Sequence, residues 1–149
     1  MSIPEIYKIF ISSTGISVDS RTIIKNKLFF SLKGPNFNGN KFAIEALKKG
    51  AKYSIIDEYQ KETKNNNKLI LVNDVFECLK ELANFHRKKI KTKIIALTGS
   101  NGKTTTRELI KVVLEKKFKT IATKGNLNNH IGVPLTILNI PKDTEIGII

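Results

Sequence analysis

Ile94-Ile95-Ala96-Leu97-Thr98-Gly99-Ser100-Asn101-Gly102-Lys103-Thr104-Thr105 carries an apolar, β-prone run into two glycines, a lysine and two hydroxyl residues. Helical spacing follows, so a helix is expected from Thr104 to about Lys117, with Leu109, Ile110, Val113 and Leu114 facing inward. Strand, glycine turn and helix in this order form the repeating unit of an α/β fold with a parallel sheet. The turn is also a place to hold an anion. Gly99 and Gly102 let backbone amides approach phosphate oxygens, and the helix start adds its positive dipole end. Lys103 can reach terminal phosphates, and the Thr104 hydroxyl is placed to ligate Mg²⁺. The strict phosphate-loop pattern wants a glycine at position 97, where this chain has Leu97, yet every physical requirement of the loop survives.

Upstream the pattern is a different α/β unit. Pro4 to Phe10 reads as a short helix, Ile16 to Val18 and Leu28 to Leu32 as strands, and Lys33 to Asn40 as an exposed loop dense in turn formers. Lys41 to Lys49 has helical spacing and ends at Gly50. Two more strands, Tyr53 to Ile56 and Leu69 to Val72, flank a polar stretch from Lys61 to Lys68. Asp74 and Glu77 then open a helix with an apolar stripe at Val75, Phe76, Leu79, Leu82 and Ala83. It closes on Arg87-Lys88-Lys89, cations that suit the negative end of a helix dipole. A boundary near Ile90 to Thr92 follows, so residues 1–90 are expected to form one small α/β domain and 91–149 the start of a parallel-sheet domain.

Composition removes several classes. The 149 residues carry 26 Lys plus Arg against 13 Asp plus Glu, a net charge of +13, a pI near 9.9 and 40% hydrophobic residues, enough for a packed core. Cys78 is the sole cysteine, and His86 and His130 stand far apart, so neither a disulfide nor Cys/His metal spacing is available. Cys78, in a packing helix, is expected to be inert, and His86 structural. The amino terminus lacks a signal-peptide pattern, and no apolar run approaches the roughly 20 residues of a membrane helix. The positive charge invites a polyanion, but the lysines are spread along the chain and aromatics are sparse, which argues against a nucleic-acid partner. Abundant Lys, Ile and Asn also suit an AT-rich coding sequence.

Three stretches carry a resemblance. The run Thr98 to Thr106 resembles the shortened phosphate loop of the Mur ligases, the ATP-dependent amide-forming enzymes of peptidoglycan precursor synthesis; folylpolyglutamate synthetases carry a related loop. The block Thr123-Lys124-Gly125-Asn126-Leu127-Asn128-Asn129-His130-Ile131-Gly132-Val133-Pro134-Leu135-Thr136 is similar to the one behind that loop in a particular branch of the family. That branch joins D-alanyl-D-alanine to UDP-N-acetylmuramoyl-tripeptide. Asp19-Ser20-Arg21, Leu28 to Gly34, Phe42 and Gly50-Ala51 resemble the family's UDP-binding domain.

The resemblance implies ATP and Mg²⁺ as cofactors, the two substrates just named as partners, a monomer and a cytoplasmic setting, with neither nucleic acid nor membrane as partner. It places Gly99, Ser100, Asn101, Gly102, Lys103, Thr104 and Thr105 on ATP, with Lys103 catalytic and Thr104 on the metal. Ser20, Arg21, Asn36 and Asn40 fall to the UDP substrate, and Asn126, Asn128 and Asn129 to further phosphate or substrate contacts, although turn formation before a helix explains any one of them nearly as well. His130 stands where relatives carry an acid, so it is given no catalytic role. The chain stops at Ile146-Gly147-Ile148-Ile149, before the family's acidic metal ligand, modified lysine and third domain. It is therefore expected to be an amino-terminal fragment, inactive alone in ligation. A non-catalytic UDP-sugar or nucleotide-binding module, or another Mur ligase such as the tripeptide synthetase, is the alternative.

Overall fold

The computed structural model describes residues 1–21, 25–59, 66–123 and 129–149. Two compact units, Met1–Phe85 and His86–Ile149, divide the chain.

The first unit begins with α1 (Ile3–Ile11), where Pro4 sits in the first turn and the Ser2 N–H donates to Glu5 Oε2 at 2.7 Å. Its buried face is Ile6 and Phe10, one turn apart. Then come β1 (Ile16–Ser17), β2 (Leu28–Phe30), β3 (Lys33–Gly34), β4 (Phe37–Asn38), α2 (Ala43–Lys48), β5 (Tyr53–Ile56), β6 (Leu69–Leu71) and α3 (Val75–Lys89), within which the division falls. Strands β1, β2, β5 and β6 form a parallel sheet in that order, with Phe29 across from Ser54 and Ile55 across from Ile70. Every residue of β2 is buried, as in a parallel strand covered on both faces. Small side chains bring α2 close to the sheet: Ala46 packs with Phe29 and Ala51, and Ala43 with Ile56 and Leu69. The buried Ser54 hydroxyl donates to the Ala43 carbonyl at 3.0 Å.

The expected loop at 33–40 is exposed from Lys33 to Phe37, but it pairs as a short antiparallel hairpin, β3 with β4, whose return buries Gly39 and Asn40. The reason is a close approach. A Cβ on Gly39 would lie 2.5 Å from the Leu32 carbonyl oxygen and 2.6 Å from the Ser31 carbonyl carbon, so only glycine fits against that backbone. Asn40 then places its amide on Asp57 Oδ1 at 2.8 Å and on Asn38 Oδ1 at 3.0 Å. Lys33 Nζ completes the anchor, 2.9 Å from Asp57 and 3.0 Å from Glu58. Burial pushes the Asp57 carboxyl up, but Lys33, Asn40 and the Val75 N–H outweigh it and hold the group below its ordinary value of 3.8.

The second unit contains β7 (Lys93–Ile95), α4 (Lys103–Leu114), β8 (Thr120–Ala122), α5 (Gly132–Leu138) and β9 (Ile146–Ile148). Its parallel sheet runs β7-β9-β8, so the strand latest in sequence is central and fully buried. Leu109 and Val113, expected inside, are 64% and 69% exposed. α4 packs against β8, and the half-buried residues along its length include Arg107, Ile110, Lys111 and Leu114; at 100° per residue Leu109 and Val113 belong to the next face. Asn126 and Asn128 lie outside the described residues. Asn129 is described, and its Oδ1 accepts from the Ile131 and Gly132 N–H groups at 3.1 and 2.7 Å, which starts α5.

Two measurements check this anchoring. Gly39→Ala is expected to cost about 3 kcal/mol or more in urea unfolding, because backbone atoms must move; a loss under about 1 kcal/mol would refute the close approach. Asp57→Asn is expected to cost about 2 kcal/mol at pH 7. Since the folded carboxyl value is depressed, its stabilisation is complete above 3.8 and drains away as pH falls through the lower folded value. The stability gap between wild type and variant therefore closes on acidification, and a pH-independent gap would contradict the assignment.

Candidate functional site

The turn between β7 and α4 is built by the second unit's sheet. The ladder of β7 continues past its last residue, since Ile149 N donates to the Ile95 carbonyl at 2.9 Å and Leu97 N to the Ile149 carbonyl at 2.7 Å. The chain then leaves the sheet at its carboxyl edge, the side on which open parallel sheets bind ligands. Gly102 is the residue before the helix, with φ +77°, and Thr106 N donates to its carbonyl at 2.9 Å to start the helical ladder. No side chain caps this end, and the first turn has no acid. The amides of Lys103, Thr104 and Thr105 thus point into the turn beside the positive end of the helix dipole.

Lys103 folds back over the turn, and its ammonium donates to the Gly99 carbonyl oxygen. Ser100, Asn101, Thr104 and Thr105 are exposed around it. The structure therefore brings together all seven residues expected around ATP, on one exposed turn lined by amides and one cation. Thr104 offers a single hydroxyl to a divalent cation. Among the described residues no group of three His, Cys, Asp or Glu could hold a metal ion. That donor set fits Mg²⁺, which keeps several waters and takes phosphate oxygens alongside one protein ligand.

A second arrangement lies in the first unit. Arg21 bonds Asp19 in a fork, Nε to Oδ1 and Nη2 to Oδ2, both at 2.9 Å. This pair and the Arg21 N–H hold the Asp19 carboxyl at about 2. Ser20 is buried, and its carbonyl accepts from Lys49 Nζ at 2.8 Å. Asn36 lies at the tip of the hairpin and lines a cleft of about 500 Å³ with Lys33, Phe37, Lys41 and Glu58. Ser20, Arg21 and Asn40 do not line that cleft, and the Asn40 amide is taken up by Asn38 and Asp57.

Three cleft residues were not singled out as contacts from the sequence, although Lys33 and Phe37 lie within stretches that were. Lys33 and Lys41 supply cations, and Phe37, 52% exposed, stacks on Phe42 with ring centroids 5.3 Å apart and planes 8° from parallel. Their signal was an aromatic and two lysines inside a Gly/Asn-rich stretch. Cys78 is buried, and burial, then Glu81, pushes its thiol up to about 12, which leaves it without nucleophilic thiolate.

The family model described as "Mur ligase family, catalytic domain" matches residues 12–96, and "Mur ligase middle domain" matches 97–149. The UDP-N-acetylmuramoyl-tripeptide–D-alanyl-D-alanine ligase of Bacillus subtilis is 38% identical over 135 residues, 91% of this chain and 30% of that protein. The same-named ligase of Treponema pallidum is 36% identical over 143 residues, 90% of this chain and 31% of that protein. A MurF ligase from Thermotoga maritima, solved in complex with ADP, superposes with a TM-score of 0.80 at 32% identity, covering 93% of this chain and 32% of that one. The chain spans about 30% of the length of the curated relatives it matches.

The turn's own strain is testable. A Cβ at Gly102 would meet nothing nearer than Thr106 Oγ1 at 4.0 Å, so the penalty of Gly102→Ala is purely that of the positive φ, about 1–2 kcal/mol. Gly102→Asn is expected to lose less, because Asn tolerates the left-handed region. Equal losses for the two variants in urea unfolding would overturn that account.

Proposed function

The chain belongs to the Mur ligase family, and from that premise we propose that it supplies the UDP-substrate and phosphate-binding parts of a ligase that adds D-alanyl-D-alanine to UDP-N-acetylmuramoyl-tripeptide. The observation that carries this is the uncapped, glycine-entered start of α4 with Lys103 folded over it. The names of the relatives support the choice of substrates, and the ADP complex of the Thermotoga protein supports ATP as the phosphoryl source.

The chemistry follows from the electrophile. A carboxylate resists attack by an amine until one of its oxygens becomes a good leaving group. In the proposed reaction a tripeptide carboxylate oxygen attacks the γ-phosphorus of ATP, ADP departs, and an acyl phosphate forms. The amine of D-alanyl-D-alanine then adds to the acyl carbon, loses a proton, and expels inorganic phosphate. Negative charge spreads over the transferring phosphoryl, so the contribution of the turn is electrostatic. Amides of 99 to 105 bind the phosphates and Lys103 leaves the Gly99 carbonyl for the terminal phosphates; Thr104 would hold Mg²⁺, whose charge would offset that of the phosphate oxygens.

Residues 1–90 are proposed as a separable domain for the uridine diphosphate end of the substrate. Arg21 with its Asp19 fork, Ser20 and Asn36 are the proposed contacts, with Lys33 and Lys41 providing charge beside Asn36. Asn40 acts indirectly, by holding the hairpin in place.

The two sites are separable by experiment. Amide NMR shifts on titration with Mg-ATP are expected at 99–106, and on titration with the UDP-linked tripeptide around Ser20, Arg21 and Asn36. Lys103→Ala is expected to abolish the first set and spare the second. ATP shifts that persist unchanged in Lys103→Ala would sink the phosphate assignment, and UDP-tripeptide shifts confined to the second unit would sink the other.

A further inference from the structure

Lysines that are spread along the sequence are gathered by the fold. Strands β7, β8 and β9 are parallel, so they begin at one edge of their sheet; Lys93 and Thr120 both stand across from Ile146. Each helix returns the chain to that edge. Three segments meet there: the tail of α3 running into β7 (87–93), the turn from α4 to β8 (115–119) and the turn from α5 to β9 (139–145). Together they hold nine Lys or Arg against three Asp or Glu. Lys88, Lys91, Lys93, Lys116, Lys117 and Lys142 are all exposed. Two of the acids act locally, Asp143 on Lys119 Nζ at 3.0 Å and Glu145 on the Lys119 N–H at 2.9 Å. The phosphate-binding turn lies at the opposite edge of the same sheet, so this charge does not belong to the site already described.

We propose that this basic edge docks on an anionic lipid bilayer surface. In the sequence the lysines are spread along the chain with no basic cluster tied to a site, and the parallel topology brings many of them to one edge. The character of the edge favours headgroups over nucleic acid. Its cations are lysines apart from the half-buried Arg87, so guanidinium forks for paired phosphate or base contacts are scarce. Its aromatic, Phe118, is half-buried with Lys117 Nζ 5.8 Å from its ring centroid, and one such ring offers no platform for successive bases. Three turns side by side make a broad front. A charged bilayer asks for nothing more, since each lysine near it contributes about fivefold to partitioning without fixed geometry. Docked this way, the chain keeps its phosphate-binding turn directed away from the lipid.

Co-sedimentation of the chain with vesicles tests this. Binding is expected to mixed phosphatidylglycerol–phosphatidylcholine vesicles, to vanish on phosphatidylcholine alone, and to weaken steeply with salt. The quadruple variant Lys88→Gln, Lys91→Gln, Lys93→Gln, Lys117→Gln is expected to reduce partitioning by more than about a hundredfold. A control removing equal charge from the first unit, Lys8→Gln, Lys25→Gln, Lys48→Gln, Lys68→Gln, is expected to keep most of it, with circular dichroism showing both variants folded. Equal losses in the two variants would overturn the proposal by reducing the effect to net charge. Failure to bind anionic vesicles would overturn it outright. Displacement from the vesicles by a DNA duplex at matched phosphate concentration would overturn it in favour of nucleic acid.

Discussion

The second unit depends on the ladder hydrogen bonds that β9 makes on both of its sides. Ile146 to Ile148 pair with Lys93 to Ile95 on one flank and with Thr120 to Ala122 on the other, so β7 and β8 have no direct ladder between them. Further bonds extend the join at both ends. The Thr92 hydroxyl donates to the Thr144 carbonyl at 2.8 Å, and Thr123 N to the Ile148 carbonyl at 2.9 Å. Gly147 leaves no spare room in the middle, since a Cβ there would fall 2.8 Å from Ile94 Cδ1. The exit of β7, and with it the aim of the amides at 99 to 105, is set by this strand. The phosphate site proposed here needs donors fixed before the anion arrives, and a buried parallel strand is a stiff way to fix them.

In the first unit the corresponding constraint is polar. Asp57, just beyond β5, gathers Lys33, Asn40 and the start of α3 at one carboxylate. Buried charge is tolerable only when its lone pairs are occupied, and here two cationic or amide donors and a backbone N–H occupy them. The hairpin with Phe37 and Asn36 is held by side chains far away in sequence, which lets turn-forming residues of low intrinsic order present a defined cleft.

Much of this was legible in the residues. The change from strand to helix around 94 to 114 shows as a change of period bracketed by glycines, and the strands at Leu28 and Tyr53 as short β-rich runs between turn formers. The resemblance to the Mur ligases rested on local motifs, which survive reading in one dimension. What could not be read was contact between distant positions. Asn40 looks like an exposed turn residue until Asp57 is beside it. Leu109 and Val113 fit an apolar stripe, but the choice among neighbouring faces of one helix is made by the strand beneath it. The gathering of lysines at one sheet edge follows from strand direction alone, and no local window of sequence records that.

The placement of β9 also orders events during synthesis. In the first unit each strand pairs with the strand that came shortly before it, as β2 follows β1 and β6 follows β5. That sheet can grow as the polypeptide leaves the ribosome. In the second unit β7 and β8 emerge before the strand that joins them and must wait, edges bare, for β9. During that interval the first unit can already be folded while β7 and β8 hold apolar residues without ladder partners, a stage at which the nascent polypeptide gains from a chaperone's shelter.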